Sequence, residues 1–343
     1  MPSLGPCGAL RRLTVAVALV AAALSPLRGS AQPESDYQST SRPHDRALYV
    51  FGDSLSDTGN DHILTTVVRA VPSIPPSKSP WRSYYDGRFS NGPVAMEWVW
   101  RGLTRDASAR LVPSLGQSWI DPSPGVSYAF GGSASGYMTT VPGSTLTVPG
   151  LQVQVQVYAG SLWGRRPDKS AVHAVWTGAN DYLFYGATDP AAVVRNIERG
   201  LRQLYVLGAR SFLVPNLPDL GTTPIAQAQQ AGPALTKLTI GHNAALAATL
   251  ARLQREFRNA TIIPVDMYSA LNRLAAQGTI QLMPPALEVL APGTSDCLLR
   301  DPRTCTDVNL GASLPPLAYW DFVHPTALVH ELMGRIMLER MRQ

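Results

Sequence analysis

Three side chains of this chain have the types and spacing that nucleophilic acyl chemistry needs. Ser54 lies in Val50-Phe51-Gly52-Asp53-Ser54-Leu55-Ser56-Asp57-Thr58-Gly59-Asn60, where an apolar run from Ala47 to Phe51 stops at a turn. Glycine lets the backbone bend there, which would put the Ser54 hydroxyl at the carboxyl end of a buried strand. Open α/β sheets bind their ligands at that end. Far along the chain, Trp320-Asp321-Phe322-Val323-His324-Pro325-Thr326 supplies a carboxylate and an imidazole three residues apart. A serine hydroxyl is almost wholly protonated near neutral pH, so it needs a base within hydrogen-bond reach and an acceptor to orient that base. His324 is the candidate base and Asp321 its orienting acceptor, both deliverable by one loop.

Acyl transfer also needs donors aimed at the developing oxyanion. Thr177-Gly178-Ala179-Asn180-Asp181 follows a strand-like run and offers the Asn180 amide, while Phe130-Gly131-Gly132-Ser133 follows another and permits close backbone approach. The Ser54 N–H is the third donor. The remaining histidines fit structural roles better. His173 falls in a predicted strand, His242 and His330 in predicted helices, His44 in a polar N-terminal stretch, and His62 on the element after Ser54. A zinc helix at His330-Glu331 is excluded because position 334 is glycine. A calcium loop at Asp53-x-x-x-Asp57 fails because Leu55 and Thr58 stand where a ligand and a glycine belong.

The elements that must position these groups alternate in type. Ala47–Phe51, Val126–Phe130, Ala171–Trp176, Ser211–Val214 and Thr261–Val265 read as five short buried strands. Between them, Asp189-Pro190 opens a helix with Val193, Ile197, Leu201 and Leu204 on one face and Gly208 at its end. Leu246, Leu250, Leu253 and Phe257 mark a second helix, and a last one is expected from Pro325 with Leu328, Leu332 and Ile336 inward. This order predicts one α/β domain, residues 47–343, with a mostly parallel sheet of about five strands covered on both faces. The proline-rich stretch from Val71 to Pro80 must be a surface loop.

The chain has 343 residues, 45% hydrophobic and 15% charged, enough for a full core. Residues 1–31 read as a signal peptide: Arg11-Arg12, an apolar run from Leu13 to Leu24 too short to span a bilayer, then Gly29-Ser30-Ala31. Residues 32–46 read as a flexible tether. Removing the signal leaves 26 Lys and Arg against 24 Asp and Glu, with no basic cluster for nucleic acid. The mature protein is therefore expected to be secreted or periplasmic, without a transmembrane anchor. It retains two cysteines, Cys297 and Cys305, which in an oxidising compartment should form a disulfide closing the loop Leu298–Thr304.

The four segments together resemble the GDSL esterases and lipases, also called SGNH hydrolases. Phe51-Gly52-Asp53-Ser54 matches the family's first block, Ala129-Phe130-Gly131-Gly132 its glycine block, Gly178-Ala179-Asn180-Asp181 its asparagine block and Asp321-Phe322-Val323-His324 its last. The resemblance spans Leu48 to Thr326. It implies a flavodoxin-type α/β/α sandwich, Ser54 as nucleophile with His324 and Asp321, and an oxyanion hole of Ser54, Gly132 and Asn180, with Gly131 the alternative glycine. Tyr84-Tyr85-Asp86-Gly87-Arg88-Phe89-Ser90-Asn91-Gly92-Pro93 and Asn216-Leu217-Pro218-Asp219-Leu220-Gly221 add a likeness to secreted bacterial phospholipases, haemolysins and glycerophospholipid:cholesterol acyltransferases. In some of those a disulfide-closed loop lies near the site. The chain ends soon after its last helix, so the membrane β-barrel of autotransporter relatives is not expected.

The function implied is ester hydrolysis by a secreted serine esterase, with lipid esters the leading substrates and no metal or organic cofactor. The implied partners are a small-molecule ester or lipid and, transiently, membrane lipid, with no nucleic acid and no protein partner. Acyl transfer to a sterol or other alcohol, deacetylation of carbohydrate esters, and a non-catalytic lipid- or glycan-binding module are the alternatives. An α/β-hydrolase is excluded because Gly-x-Ser-x-Gly occurs nowhere in the chain. Trp81, Tyr84, Tyr85 and Phe89 could line an acyl cleft or pack beneath their loop.

Overall fold

Tyr49, Phe51, His173 and Val175 face one way from the central strands, and Leu48, Val50, Val172 and Ala174 the other, so continuous apolar runs feed two cores. The computed structural model describes residues 46–118, 122–141, 144 and 146–343. The expected signal peptide, the tether up to residue 45, and His44 lie outside the described residues. Strands β1 (Leu48–Gly52), β2 (Val112–Pro113), β3 (Gly125–Ser127), β6 (Val172–Trp176), β7 (Ser211–Pro215) and β8 (Thr261–Val265) form one parallel sheet in the order β2-β3-β1-β6-β7-β8. The remaining pair, β4 (Met138–Thr140) and β5 (Thr147–Pro149), makes an antiparallel hairpin.

Five of the six strands are those expected, although β3 ends at Ser127 rather than Phe130, and without β2 their order is the flavodoxin-type one, reversing at β1. Among the strands, β2 and the β4–β5 hairpin were not foreseen, nor were helices Ala95–Thr104, Leu151–Ser161 and Met267–Ala276. Strand β2 is two residues long and contains a proline, so it carries no periodic signal, and the β4–β5 hairpin has three-residue arms. One face of the sheet is covered by helices Ala95–Thr104, Met267–Ala276 and Ala327–Arg342, with Met96, Trp100, Val329, Met333 and Met337 buried on it. Helices Leu151–Ser161, Pro190–Leu207 and Gly232–Glu256 cover the other, burying Leu151, Val155, Ile197, Leu201, Leu246 and Leu250.

Helix Pro190–Leu207 begins as its sequence dictates: the Asp189 carboxylate accepts from the Ala191 N–H at 2.9 Å and Pro190 occupies the first turn, where no donor is needed. The last helix starts at Ala327 rather than Pro325. Thr326 caps it, which frees Pro325 for the loop carrying His324. The disulfide between Cys297 and Cys305 is formed, with Cα atoms 5.1 Å apart. A ring this small stabilises by about 2–3 kcal/mol on the chain-entropy model. Among the described residues no helix is long and apolar enough to cross a membrane.

Candidate active site

Ser54 stands two residues beyond the end of β1, at the carboxyl edge of the sheet where the strand order reverses. Gly52 does not bend the chain, as the sequence suggested. It is still in the strand, and a Cβ there would come 2.2 Å from the Trp176 carbonyl oxygen, so glycine is needed for close approach. The turn itself closes by the Ser56 and Asp57 N–H groups donating to the Asp53 carbonyl, both at 3.0 Å.

The loop before the last helix brings its two groups to this turn. His324 Nε2 lies 3.0 Å from Ser54 Oγ, and His324 Nδ1 lies 2.7 Å from Asp321 Oδ2. Asp321 Oδ1 accepts from the Val323 and His324 N–H groups, each at 2.7 Å, and Oδ2 also accepts from the Tyr84 hydroxyl at 2.7 Å. Burial alone would raise the Asp321 carboxyl. The neighbouring His324 and these N–H donors outweigh it and leave the group below the usual carboxylate range. An ionised Asp321 holds Nδ1 protonated, which leaves Nε2 as the acceptor facing Ser54. All three side chains are buried, with Ser54 6% and His324 6% exposed.

The donor segments converge on the same place. Gly132 has φ of +72°, a conformation that favours glycine, and its N–H and that of Ser54 donate to no described residue. The Gly131 N–H, by contrast, donates to Asp57 Oδ2 at 3.2 Å. Asn180 Nδ2 donates to the Ser133 carbonyl at 2.8 Å, which fixes the amide and leaves its second hydrogen open. Asp181 ties the two segments together by accepting from the Ser135 N–H at 3.0 Å and the Ser135 hydroxyl at 2.7 Å.

The other described histidines have partners of their own. His173 pairs with the Tyr158 hydroxyl, His242 with Tyr182, His62 with Ser73, and His330 Nδ1 accepts from the Ala95 N–H. Burial holds His173 and His242 down to about 4 and His330 to about 3, so these three are neutral at pH 7. The aromatic segment divides its roles. Phe89 lines the cleft with its ring centroid 5.1 Å from that of His324, while Tyr84 is packed away beneath it and bonds Asp321.

Sequence reasoning missed two supports. Gln154, on helix Leu151–Ser161, accepts the Gly52 N–H at 2.8 Å and donates to the Gly52 carbonyl at 2.8 Å and to Ser133 Oγ at 2.9 Å. It thereby joins the strand before Ser54 to the segment after Gly132. The Arg88-Phe89-Ser90-Asn91 block, noted only as a family likeness, clamps the His324 loop. Ser90 Oγ donates to the Pro325 carbonyl, Asn91 Oδ1 accepts from the Ala327 N–H, and Arg88 pairs at 2.8 Å with buried Glu97. Neither the Gln154 bridge nor the Ser90 and Asn91 contacts of this clamp have a local signal, since each joins residues more than 20 positions apart.

Serine, imidazole and carboxylate bonded in line form the constellation that recurs across serine hydrolases of unrelated fold. A model of the GDSL-like lipase/acylhydrolase family matches residues 48–337, and the chain belongs to that family. The phosphatidylcholine-sterol acyltransferase of Aeromonas hydrophila is 30% identical over 213 residues, covering 59% of this chain and 53% of that protein. The chain thus matches about half the length of that relative. A GDSL esterase/lipase of Arabidopsis thaliana is 28% identical over 327 residues, 86% of this chain and 89% of the relative. Among solved structures, a carbohydrate acetylesterase from Sinorhizobium meliloti aligns over 87% of this chain and 99% of its own, with a TM-score of 0.43 and 12% identity.

Proposed function

We propose that the protein is an exported serine esterase that hydrolyses carboxylic esters, with Ser54 as nucleophile, His324 as base and Asp321 as its orienter. The observation that carries this reading is the unbroken hydrogen-bonded line from Ser54 Oγ through His324 to Asp321, set beside N–H groups that have no partner among the described residues. In the first step His324 Nε2 takes the Ser54 proton as Oγ bonds to the ester carbonyl carbon. The oxyanion rests on the Ser54 and Gly132 N–H groups and the Asn180 amide. The Gly131 N–H is engaged by Asp57, which favours Gly132 as the glycine donor. Collapse of the tetrahedral species breaks the bond to the alcohol, which leaves with the proton from His324. Water, activated by the same imidazole, then releases the acid and restores Ser54.

Export is supported by the signal-like residues 1–31 and by the disulfide. The mass of the protein recovered outside the cytoplasm tests it. Hydrolysis is tested on a chain-length series of p-nitrophenyl esters with purified Ser54→Ala as the blank. The expected result is turnover by the wild type and none above background by the variant. Near-normal turnover by Ser54→Ala would overturn the assignment.

A further inference from the structure

The segment that offers the Gly132 N–H is held by nearly all of its other groups. The N–H groups of Gly131, Ser133 and Ala134 donate in turn to Asp57 Oδ2, the Phe130 carbonyl and Thr139 Oγ1, which leaves that of Gly132 without a partner among the described residues. The Ser133 bond closes a four-residue turn, Phe130–Ser133, with Gly132 third at φ of +72°, as in a type II turn. Glycine takes either sign of φ about as readily, so Gly132 does not by itself fix the direction of its N–H. Its neighbours do so. The short helix Ala179–Leu183, which carries Asn180, and the two residues after it grip two successive carbonyls of the segment. Asn180 Nδ2 donates to that of Ser133 at 2.8 Å, and the Tyr185 hydroxyl donates to that of Gly132 at 2.6 Å. The Tyr185 N–H turns back to the Asn180 carbonyl at 3.2 Å. Asn180, Ser133, Gly132 and Tyr185 thus close a ring of hydrogen bonds, and two of the three proposed oxyanion donors lie on it.

We propose that Tyr185 is a positioning residue of the oxyanion hole, whose hydroxyl sets the Gly132 N–H against the Asn180 amide. This rests on the Ser54 esterase reading and deepens it. The Gly132 carbonyl and the Ser133 N–H belong to one peptide unit. A donor on that carbonyl polarises the unit and strengthens the Ser133 bond to Phe130 that closes the turn. The phenol therefore acts on the turn that aims the Gly132 N–H, through backbone alone. It remains a donor at working pH, because burial first, and Asp181 second, raise it to about 12. Without the phenol, the turn bond alone holds a glycine for which other φ values are open. The N–H then spreads over directions that miss the oxyanion, and the preorganisation of the hole is lost.

The test is the steady-state kinetics of Tyr185→Phe on p-nitrophenyl butyrate, with 1-butylboronic acid as the probe of the hole. Ser54 Oγ bonds to boron as His324 takes its proton, and the tetrahedral boronate anion uses the oxyanion donors as the transition state does. The variant removes one oxygen from a half-buried side chain, so the fold is kept. Its kcat should fall about tenfold with KM within about twofold, and the boronate Ki should rise about tenfold in step. An unchanged kcat, with or without a change in KM, overturns the proposal. So does a lower kcat with the boronate Ki unmoved, the mark of a residue that supports the fold and not the hole. Either result leaves the esterase reading standing. A wild type that turns over no p-nitrophenyl ester overturns the esterase reading and this inference with it.

Discussion

At the scale of single residues, the site places partial charges where an acyl-transfer transition state needs them. Asn180 is the plainest case. One amide hydrogen is held by the Ser133 carbonyl at 2.8 Å, so the other is aimed without any loss of freedom at the moment of reaction. Asn180→Ala should lower kcat by about 10²–10³ with little change in KM, as for removal of one preorganised oxyanion donor. Steady-state kinetics on a single p-nitrophenyl ester checks this. A change in KM alone would mean that Asn180 binds substrate uniformly rather than the oxyanion. Tyr84 and Asp321 illustrate a different economy of design. The phenol buried against the carboxylate supplies a donor that water would otherwise provide, so the His324 loop keeps its geometry in a dry site.

At the scale of elements, the site is assembled by bridges between segments distant in the chain. Gln154 joins β1 to the Gly132 segment from helix Leu151–Ser161. Gln154→Leu should lower kcat by about tenfold to a hundredfold on a simple ester while the fold is kept, through the loss of its buried hydrogen bonds to Gly52 and Ser133 at a positioning residue. A wild-type kcat in a folded variant, measured by circular dichroism and kinetics together, would show that β1 and the loop hold themselves. The same bridges explain what was legible beforehand. Strands β1, β3, β6, β7 and β8, the helix opened by Asp189-Pro190 and the segments bearing Ser54, Gly132, Asn180 and His324 each carry a local signal of periodicity, capping or turn chemistry. Strand β2, the β4–β5 hairpin and Gln154 do not. Their roles come from partners fixed only when the chain folds, and a glutamine inside an apolar helix reads like any polar residue.

At the scale of the whole molecule, the carboxyl edge of the sheet gathers several buried acids, and their titration should tilt stability against pH. Burial raises the Asp53 carboxyl to about 7, above its value in the unfolded chain near 4. The folded state thus keeps a proton that the unfolded state releases. The stability this group contributes is present below about pH 4 and is lost as pH rises through about 7. Asp321 is shifted downward and acts with the opposite sign, its contribution lost only as pH falls through its lowered value. Asp53→Asn should therefore raise the melting temperature at pH 8 and leave it nearly unchanged at pH 4, and an equal shift at both would refute this origin. The sheet order, the strand-end serine and the converging donors all support one claim, that Ser54 is the nucleophile of an esterase. The most direct test is peptide mapping by mass spectrometry after treatment of the folded protein with a fluorophosphonate. A single adduct is expected, on Ser54, and should be strongly reduced in His324→Ala. An intact Ser54 in fully folded, treated wild-type protein, or an adduct on another serine, would contradict it.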